Sequence, residues 1–546
     1  MTATGLRGLL PGRRDYADLP RTWRGDLLAG LTVGIVALPL ALAFGVSSGA
    51  GAEAGLITAI VAGVVAAVFG GSHVQVSGPT GAMVVVLAPI LAERGLGALA
   101  LVSVLAGIFV VLAGVARLGR LVGLIPWPVL EGFTLGIAVI IGLQQIPAAL
   151  GIDSGSLHGN AIAAAGQAIA TADWAAAWPT LAVVAGVAAV MLLVPRLTRA
   201  VPGSVIAIAL ASIATSLIPN DIADIGELPA GLPMPALPAI TLDGLTPLIL
   251  PALTVAALAA IESLLSARVA ASHSDTGAYD PDRELVGQGL ASMAAGVFGG
   301  MPATGAIART AVNLRSGGRT RLAAVTHALV LLAIVMIASG VVAHIPLAAL
   351  SGVLMVTAAT MVHGRTVRAI LRSSRSDAVI FVITAIITVT VDLIYAVAIG
   401  IAVAALFALR QLASSGGVHR EELAGPVAPG DDRIAVLRLD GALFFGDAQR
   451  VLDRVARIDG VRVVILRMSQ LQLLDATGAQ VLAELIAGLE RRGVTVLVKG
   501  VQDRHERLVE HAGVRGALGH ENHVYDDLAE AVAHARELVA GERSPA

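Results

Sequence analysis

The sequence has no cysteine among its 546 residues, which excludes disulfides, thiolate metal sites and a cysteine nucleophile. Charge is scarce: Asp, Glu, Lys and Arg make up 14%, against roughly a quarter in an ordinary soluble domain. Most of the chain therefore cannot face water. Aromatic residues are only 3%. A formal net charge of −2 excludes a basic nucleic-acid binder by bulk charge. What is abundant is apolar: 56% of residues are hydrophobic, and mean hydropathy is +0.83. The 61 glycines suit close helix packing and helix breaks within lipid. No cleavable signal is expected, because the Arg-rich start runs into an apolar stretch far longer than a signal core. A polytopic membrane protein follows.

Nearly charge-free stretches fill residues 27–410, and 27–52, 54–92 and 96–116 are the clearest. Each is long enough for one or two crossings of about 20 residues. Beyond Arg410 the texture changes. Ser414-Ser415-Gly416-Gly417 reads as a linker, and acidic and basic residues then become common. Runs 434–439, 461–466 and 494–498 read as strands; 448–458, 478–491 and 503–512 read as helices. Alternating β and α implies a small, mainly parallel α/β domain. The expected organisation is an N-terminal segment 1–25, a membrane domain 26–412, a linker 413–430 and a soluble domain 431–541.

Arginine supplies the topology, since Lys499 is the only lysine. The leader carries Arg7, Arg13, Arg14, Arg21 and Arg24, which places the N-terminus inside by the positive-inside rule. Later basic loops are marked by Arg117/Arg120, Arg196/Arg199, Arg268/Arg283, Arg315/Arg319/Arg321, the 365–375 segment and Arg410. Others are poor in Arg or acidic: Glu93/Arg94, 153–173, 221–243 and His344. With about fourteen spans every basic loop lands inside and the rest outside. Both termini are then cytoplasmic and the chain is a multi-pass protein of the cell membrane.

A repeat runs through the membrane region. Val68-Phe69-Gly70-Gly71 recurs as Val297-Phe298-Gly299-Gly300. Each copy precedes a break, Gly78-Pro79-Thr80-Gly81 and then Pro302-Ala303-Thr304-Gly305. Upstream, Leu31-Thr32-Val33 matches Leu253-Thr254-Val255 at nearly the same offset. An odd number of spans lies between the copies, so the second runs in the opposite direction. Inverted repeats with Gly/Pro-interrupted segments at matching positions point to a transporter's central site. Each break exposes the N-terminus of a short helix, whose free N–H groups carry about half a positive charge and accept an anion. Half-helices beginning near Thr80 and Thr304 enter from opposite faces, so both positive ends point inward. Kinking of packed helices is the alternative.

Two charges interrupt otherwise apolar spans, Arg309 and Glu262. A mid-bilayer charge costs about 2.5–3.5 kcal/mol even on the lenient insertion scale. Arg309, one turn beyond the second break, can hold an oxyanion bidentately. Glu262 can carry a proton, because burial favours the neutral carboxyl, or bind a cation. A static Glu262–Arg309 pair is the plainer reading. Glu131 belongs to an interfacial span start, Asp377 and Asp392 lie near span ends, and His73 and His273 lack ligand spacing. Phe44, after Pro39, lines the cavity or packs the core. No nucleophile–base pair, phosphate loop or zinc spacing stands out, so an enzyme is not expected, and no cofactor or metal is implied.

On these residues the chain resembles the SulP family of anion transporters along nearly its whole length. Ala29-Gly30-Leu31-Thr32-Val33-Gly34 through Pro39 and Ala41-Leu42-Ala43-Phe44-Gly45 is similar to that family's opening signature. Glu262-Ser263-Leu264-Leu265-Ser266-Ala267 resembles its eighth-span motif, and the segment from Gly299 through Asn313 its tenth-span motif. The resemblance implies a seven-plus-seven inverted repeat, core and gate domains with elevator-like alternating access, and a homodimer. It implies an anion between the third- and tenth-span half-helices, near Thr80, Gly81, Thr304, Gly305, Ala306, Arg309 and Phe44. Glu262 and Ser266 are the expected coupling residues.

The C-terminal region resembles the STAS domain of such transporters, with a cytoplasmic protein as a candidate partner. Asp475-Ala476-Thr477-Gly478 is similar to the loop that carries a phosphorylated residue in anti-sigma antagonists, which makes Thr477 a candidate phosphosite. A helix cap by Asp475 or Thr477 is the alternative. Sodium-coupled bicarbonate members resemble this chain but carry a shorter acid at the Glu262 position and no Arg at that of Arg309. The reading is therefore a proton-coupled carrier of a small oxyanion, sulfate first. Sodium-coupled bicarbonate, C4-dicarboxylate or nucleobase carriage, and a regulatory membrane protein, remain as alternatives. Ala308, where elaborate sites carry a hydroxyl residue, leaves the anion's identity open.

Overall fold

A computed structural model describes residues 8–152, 160–197, 202–218, 221–228, 231–237, 245–391, 393–415, 417–423, 426–443 and 460–541. Arg7, Arg199, Asp392, the helix expected at 448–458 and the ends of the 153–173 and 221–243 loops lie outside the described residues. The chain divides into two compact units, 1–401 and 402–546.

Among the described residues, fourteen helical segments occupy the apolar region in chain order. They are α1 (Leu19–Ser47), α2 (Ala52–Phe69), α3 (Gly81–Arg94), α4 (Gly97–Val115), α5 (Trp127–Ala149), α6 (Trp174–Leu197) and α7 (Gly203–Leu217). The second seven are α8 (Ile249–Ser272), α9 (Pro281–Val297), α10 (Ile307–Arg315), α11 (Arg321–Ala343), α12 (Leu347–Met361), α13 (Arg375–Thr390) and α14 (Leu393–Ser415). Short helices at Ala161–Thr171 and Gly364–Ser373 stand between them. Eight described helices are long and apolar enough to cross a membrane alone. The basic segments fall after even-numbered helices.

The sequence repeats sit on helices seven apart. Leu31–Val33 and Leu253–Val255 lie in α1 and α8, and the two Val-Phe-Gly-Gly runs end α2 and α9. After each, the chain forms a two-residue strand, β1 (Ser77–Gly78) and β2 (Thr304–Gly305), before α3 and α10 begin. The strands pair antiparallel, Ser77 with Gly305 and Gly78 with Thr304. Antiparallel pairing of equivalent segments is what an inverted repeat produces.

Glycine packing sorts the helices into two groups. A Cβ on Gly107 (α4) would lie 2.5 Å from the Gly289 carbonyl (α9), and one on Gly30 (α1) 2.5 Å from that of Ala323 (α11). These contacts bind α1–α4 to α8–α11. In the other group, a Cβ on Gly132 would lie 2.5 Å from the Phe381 carbonyl (α13), and one on Gly352 (α12) 3.0 Å from Val187 Cβ (α6). Without a hydrophobic drive between helices in lipid, such backbone approach supplies much of the packing energy. The contact of Gly81 (α3) with Ile141 (α5) crosses between the groups: a Cβ there would overlap Ile141 Cδ1.

The second unit holds a five-stranded sheet in the order β3 (Gly417–Glu421), β4 (Ile434–Leu443), β5 (Val463–Leu474), β6 (Thr495–Lys499), β7 (Val524–Tyr525). β3 is antiparallel and the other pairings are parallel. Along β5, Val464 and Leu466 join the core beneath α15 (Ala476–Arg491), while Val463 and Ile465 meet Ala531, Val532 and Val539 of α17 (Leu528–Gly541). This two-sided burial explains the near-continuous apolar strands. α16 (Asp503–His511) matches the helix read from sequence, whereas β3 starts inside the stretch read as a linker.

Candidate functional site

β1 and β2 bring the two helix breaks together, and three side chains close around them. Glu262, half-buried on α8, takes a hydrogen bond from Thr80 Oγ1 at 2.7 Å on its Oε2. Thr304 Oγ1 lies 2.8 Å from the same oxygen and 3.0 Å from Thr80 Oγ1. The carboxylate thus joins both halves of the repeat. The adjacent Ser263 accepts the Gly305 N–H at 3.0 Å.

Arg309 is 2% exposed. Its Nη2 donates to the Pro79 carbonyl at 2.5 Å, while Nη1 has no partner among the described residues. A Cβ on Gly78, at φ +152°, would lie 2.6 Å from that Nη1, so glycine makes room for the guanidinium. Among the described residues no ion pair joins Glu262 to Arg309, so the static pair is not formed. The acid is held by hydroxyls and the base by a carbonyl.

Neither half-helix has a side-chain cap. α3 starts at Gly81 after Thr80, whose hydroxyl is given to Glu262, and α10 starts at Ile307 after Ala306. The first-turn N–H groups of both therefore face the junction without a capping oxygen. The second start differs from the sequence expectation. Thr304 and Gly305 stay extended because Gly305 pairs with Ser77 and Ala306 N–H donates to the Val76 carbonyl at 2.8 Å. Arg309 is consequently in the first turn of α10 rather than a turn beyond it.

Phe44 is buried on α1, and its Cε1 would lie 3.3 Å from a Cβ on Gly81. It therefore stands over the start of α3. Ser266 is buried one turn after Glu262, with no partner for its hydroxyl among the described residues. Elsewhere, Glu131 accepts from Trp127 Nε1 at 3.2 Å at the start of α5, His273 ends α8, and Asp377 lies in the first turn of α13. In the second unit Asp475 is the cap of α15, accepting the Gly478 N–H at 2.7 Å; Thr477 is exposed in the first turn.

Sequence reasoning missed a buried chain behind β1. Gln288 Nε2 contacts Ser77 Oγ at 2.5 Å and Glu284 Oε1 at 2.9 Å. Glu284 Oε2 takes the N–H groups of Gly71 at 2.8 Å and Ser72 at 2.9 Å. The Glu284/Gln288 spacing of four within α9 was its available signal.

The sulfate permease family model matches residues 23–384, two thirds of the chain. The chain belongs to that family. A STAS domain model matches residues 425–531. A putative sulfate transporter, YvdB of Bacillus subtilis, is 34% identical over 92% of this chain and 96% of its own length. The bicarbonate transporter BicA of Synechocystis is 30% identical over 94% of each. The solved transmembrane domain of a cyanobacterial BicA matches at a TM-score of 0.62 and 33% identity, covering 69% of this chain and 97% of its own. Murine Slc26a9 matches at a TM-score of 0.82 over 98% of this chain, at 18% identity, a likeness of fold alone. This SulP chain is a multi-pass membrane anion transporter with a C-terminal STAS domain, and not an enzyme.

Proposed function

We propose that this SulP protein is a secondary active carrier of a small oxyanion, sulfate first, coupled to protons through Glu262 and working by elevator-like alternation of the two helix groups. One observation carries the reading: two uncapped half-helix N-termini meet beside a buried arginine that keeps one nitrogen free. Gly81, the first-turn N–H groups of α10 and Arg309 receive the anion, with the Thr80 and Thr304 hydroxyls shared with Glu262, Gly305 and Ala306 lining the site with their own N–H groups already paired, and Phe44 above. Glu262 bonds to a hydroxyl from each break, so its protonation alters the anion site directly, and Ser266 serves the coupling side. A neutral nucleobase gives no reason for Arg309. Both termini lie in the cytoplasm, the protein works as a homodimer, and the STAS domain receives a cytoplasmic partner, with Thr477 exposed for phosphorylation.

Uptake into liposomes under imposed pH and sodium gradients tests the reading. Sulfate accumulation should follow the pH gradient and ignore sodium. Sodium dependence without pH dependence would favour bicarbonate, the substrate named for the BicA relatives. Deleting residues 418–546 should leave transport in place; loss of signalling alone would instead mark a sensor.

A further inference from the structure

The crossing contact at Gly81 is followed by a second one. Gln145 near the end of α5 donates from Nε2 to Ser47 Oγ at 3.3 Å, and Ser47, the last residue of α1, lies 3.4 Å from Gln145 Oε1. Ser47 is one turn beyond Phe44 and Gln145 one turn beyond Ile141, the two side chains packed at the start of α3. As odd-numbered crossings, α1, α3 and α5 run the same way. "Beyond" therefore means toward the membrane face opposite the N-terminus.

The Ser47–Gln145 layer of the seam differs in kind from the packing inside either helix group. Within a group, glycines set backbone against side chain or backbone, and separation would leave voids and lost contacts. Between Ser47 and Gln145 the contact is a neutral hydrogen bond, which water replaces at little net cost when the helices part. An apolar layer at Phe44 and Ile141 excludes water from the anion site, and a polar layer one turn further out can be rehydrated.

We infer that these two layers form the gate that closes the anion site toward the face opposite the N-terminus, and that the structure holds this gate shut. The inference rests on the alternating-access reading above. The cysteine-free chain allows a direct test in full-length protein in liposomes, carrying Ser47→Cys with Gln145→Cys. A methane-bridged bis-thiosulfonate makes up the length lost at position 145. The expected result is a single bridge by intact mass and sulfate uptake at background, both reversed by dithiothreitol, while each single variant keeps transporting. Two separate adducts, or a bridged protein carrying sulfate at the unbridged rate, would overturn the gate. Ser47→Ala removes the hydrogen bond without the thiols, leaves the buried Gln145 amide unpaired while the gate is shut but hydrated when it opens, and decides the matter if the double variant does not fold. It should lower the KM for sulfate offered at that face by up to about five-fold; an unchanged or raised KM counts against the gate. If wild-type protein carries no sulfate, bicarbonate or succinate uptake replaces it, so failure of the substrate reading stays distinct from failure of the gate.

Discussion

Replacing Arg309 by lysine keeps the charge and removes the fork. In the structure one fork nitrogen is committed to the Pro79 carbonyl at 2.5 Å and the other has no partner among the described residues. A lysine has a single nitrogen on a different stem and cannot hold the Pro79 loop and an anion in the same geometry. An anion bound through Nη1 then loses one charge-assisted hydrogen bond, worth about 1.5–3 kcal/mol. That is roughly a ten- to hundred-and-fifty-fold rise in Kd. Radiolabelled sulfate binding to purified full-length protein measures it, with thermal unfolding as the check on the fold. Gly78→Ala should weaken binding similarly with residue 309 unchanged, because its Cβ would lie 2.6 Å from Nη1 and displace the guanidinium. A lysine variant binding sulfate within two-fold of wild type, at an unchanged unfolding midpoint, would remove Arg309 from the site.

Glu262→Gln keeps an oxygen for Thr80 and Thr304, so binding and exchange should survive while proton-driven accumulation disappears. One pH unit is worth about ten-fold accumulation per coupled proton, and normal uphill uptake by the variant would refute the role. Burial works to raise the Asp15 carboxyl, but the Arg283 hydrogen bond at 2.9 Å, the Gly12 N–H and the Arg283 and Arg321 charges bring it down to about 2. Its stabilisation, about 1 kcal/mol after screening, is present above the ordinary carboxylate range and fades as pH falls toward 2. Asp15→Asn should thus lower the unfolding midpoint at neutral pH, with the gap to wild type narrowing below about pH 4; a gap independent of pH contradicts the pairing. Asp475→Ala should cost α15 about 1 kcal/mol, read by hydrogen exchange, whereas Thr477→Ala should leave exchange unchanged.

The inverted repeat was legible because its two copies share short motifs at nearly the same offset, and the Val-Phe-Gly-Gly pair among them ends α2 and α9. Glu262 and Arg309 were legible because apolar surroundings leave a charge conspicuous. Glu284 was not, since Asp282-Arg283-Glu284 looks like a basic loop until α9 carries it under the Gly71 and Ser72 N–H groups. The start of α10 was misplaced by part of a turn because strand pairing, a contact between distant segments, outweighs the local Thr-Gly signal. The division into two helix groups was also invisible. A glycine's partner across a helix interface cannot be read from its own neighbours in the chain.

Charge balance at the junction constrains what binds there. Two helix N-termini contribute about half a positive charge each, Arg309 one more, and ionised Glu262 subtracts one. The junction then carries about +1, which suits a monoanion. With Glu262 protonated it carries about +2, which suits a dianion such as sulfate. Binding of sulfate should therefore take up a proton, and binding of bicarbonate should not. Linkage converts this into a slope: once Glu262 is ionised in the empty protein, the sulfate Kd should rise about ten-fold per pH unit. A monoanion's Kd should stay nearly flat over the same range. Titrating sulfate binding between roughly pH 6 and pH 9, in wild type and in Glu262→Gln, separates the cases, because the neutral variant should bind sulfate without pH dependence. A flat sulfate profile in wild-type protein across that range would refute proton uptake at Glu262 and leave the two threonine hydroxyls as ground-state scaffolding.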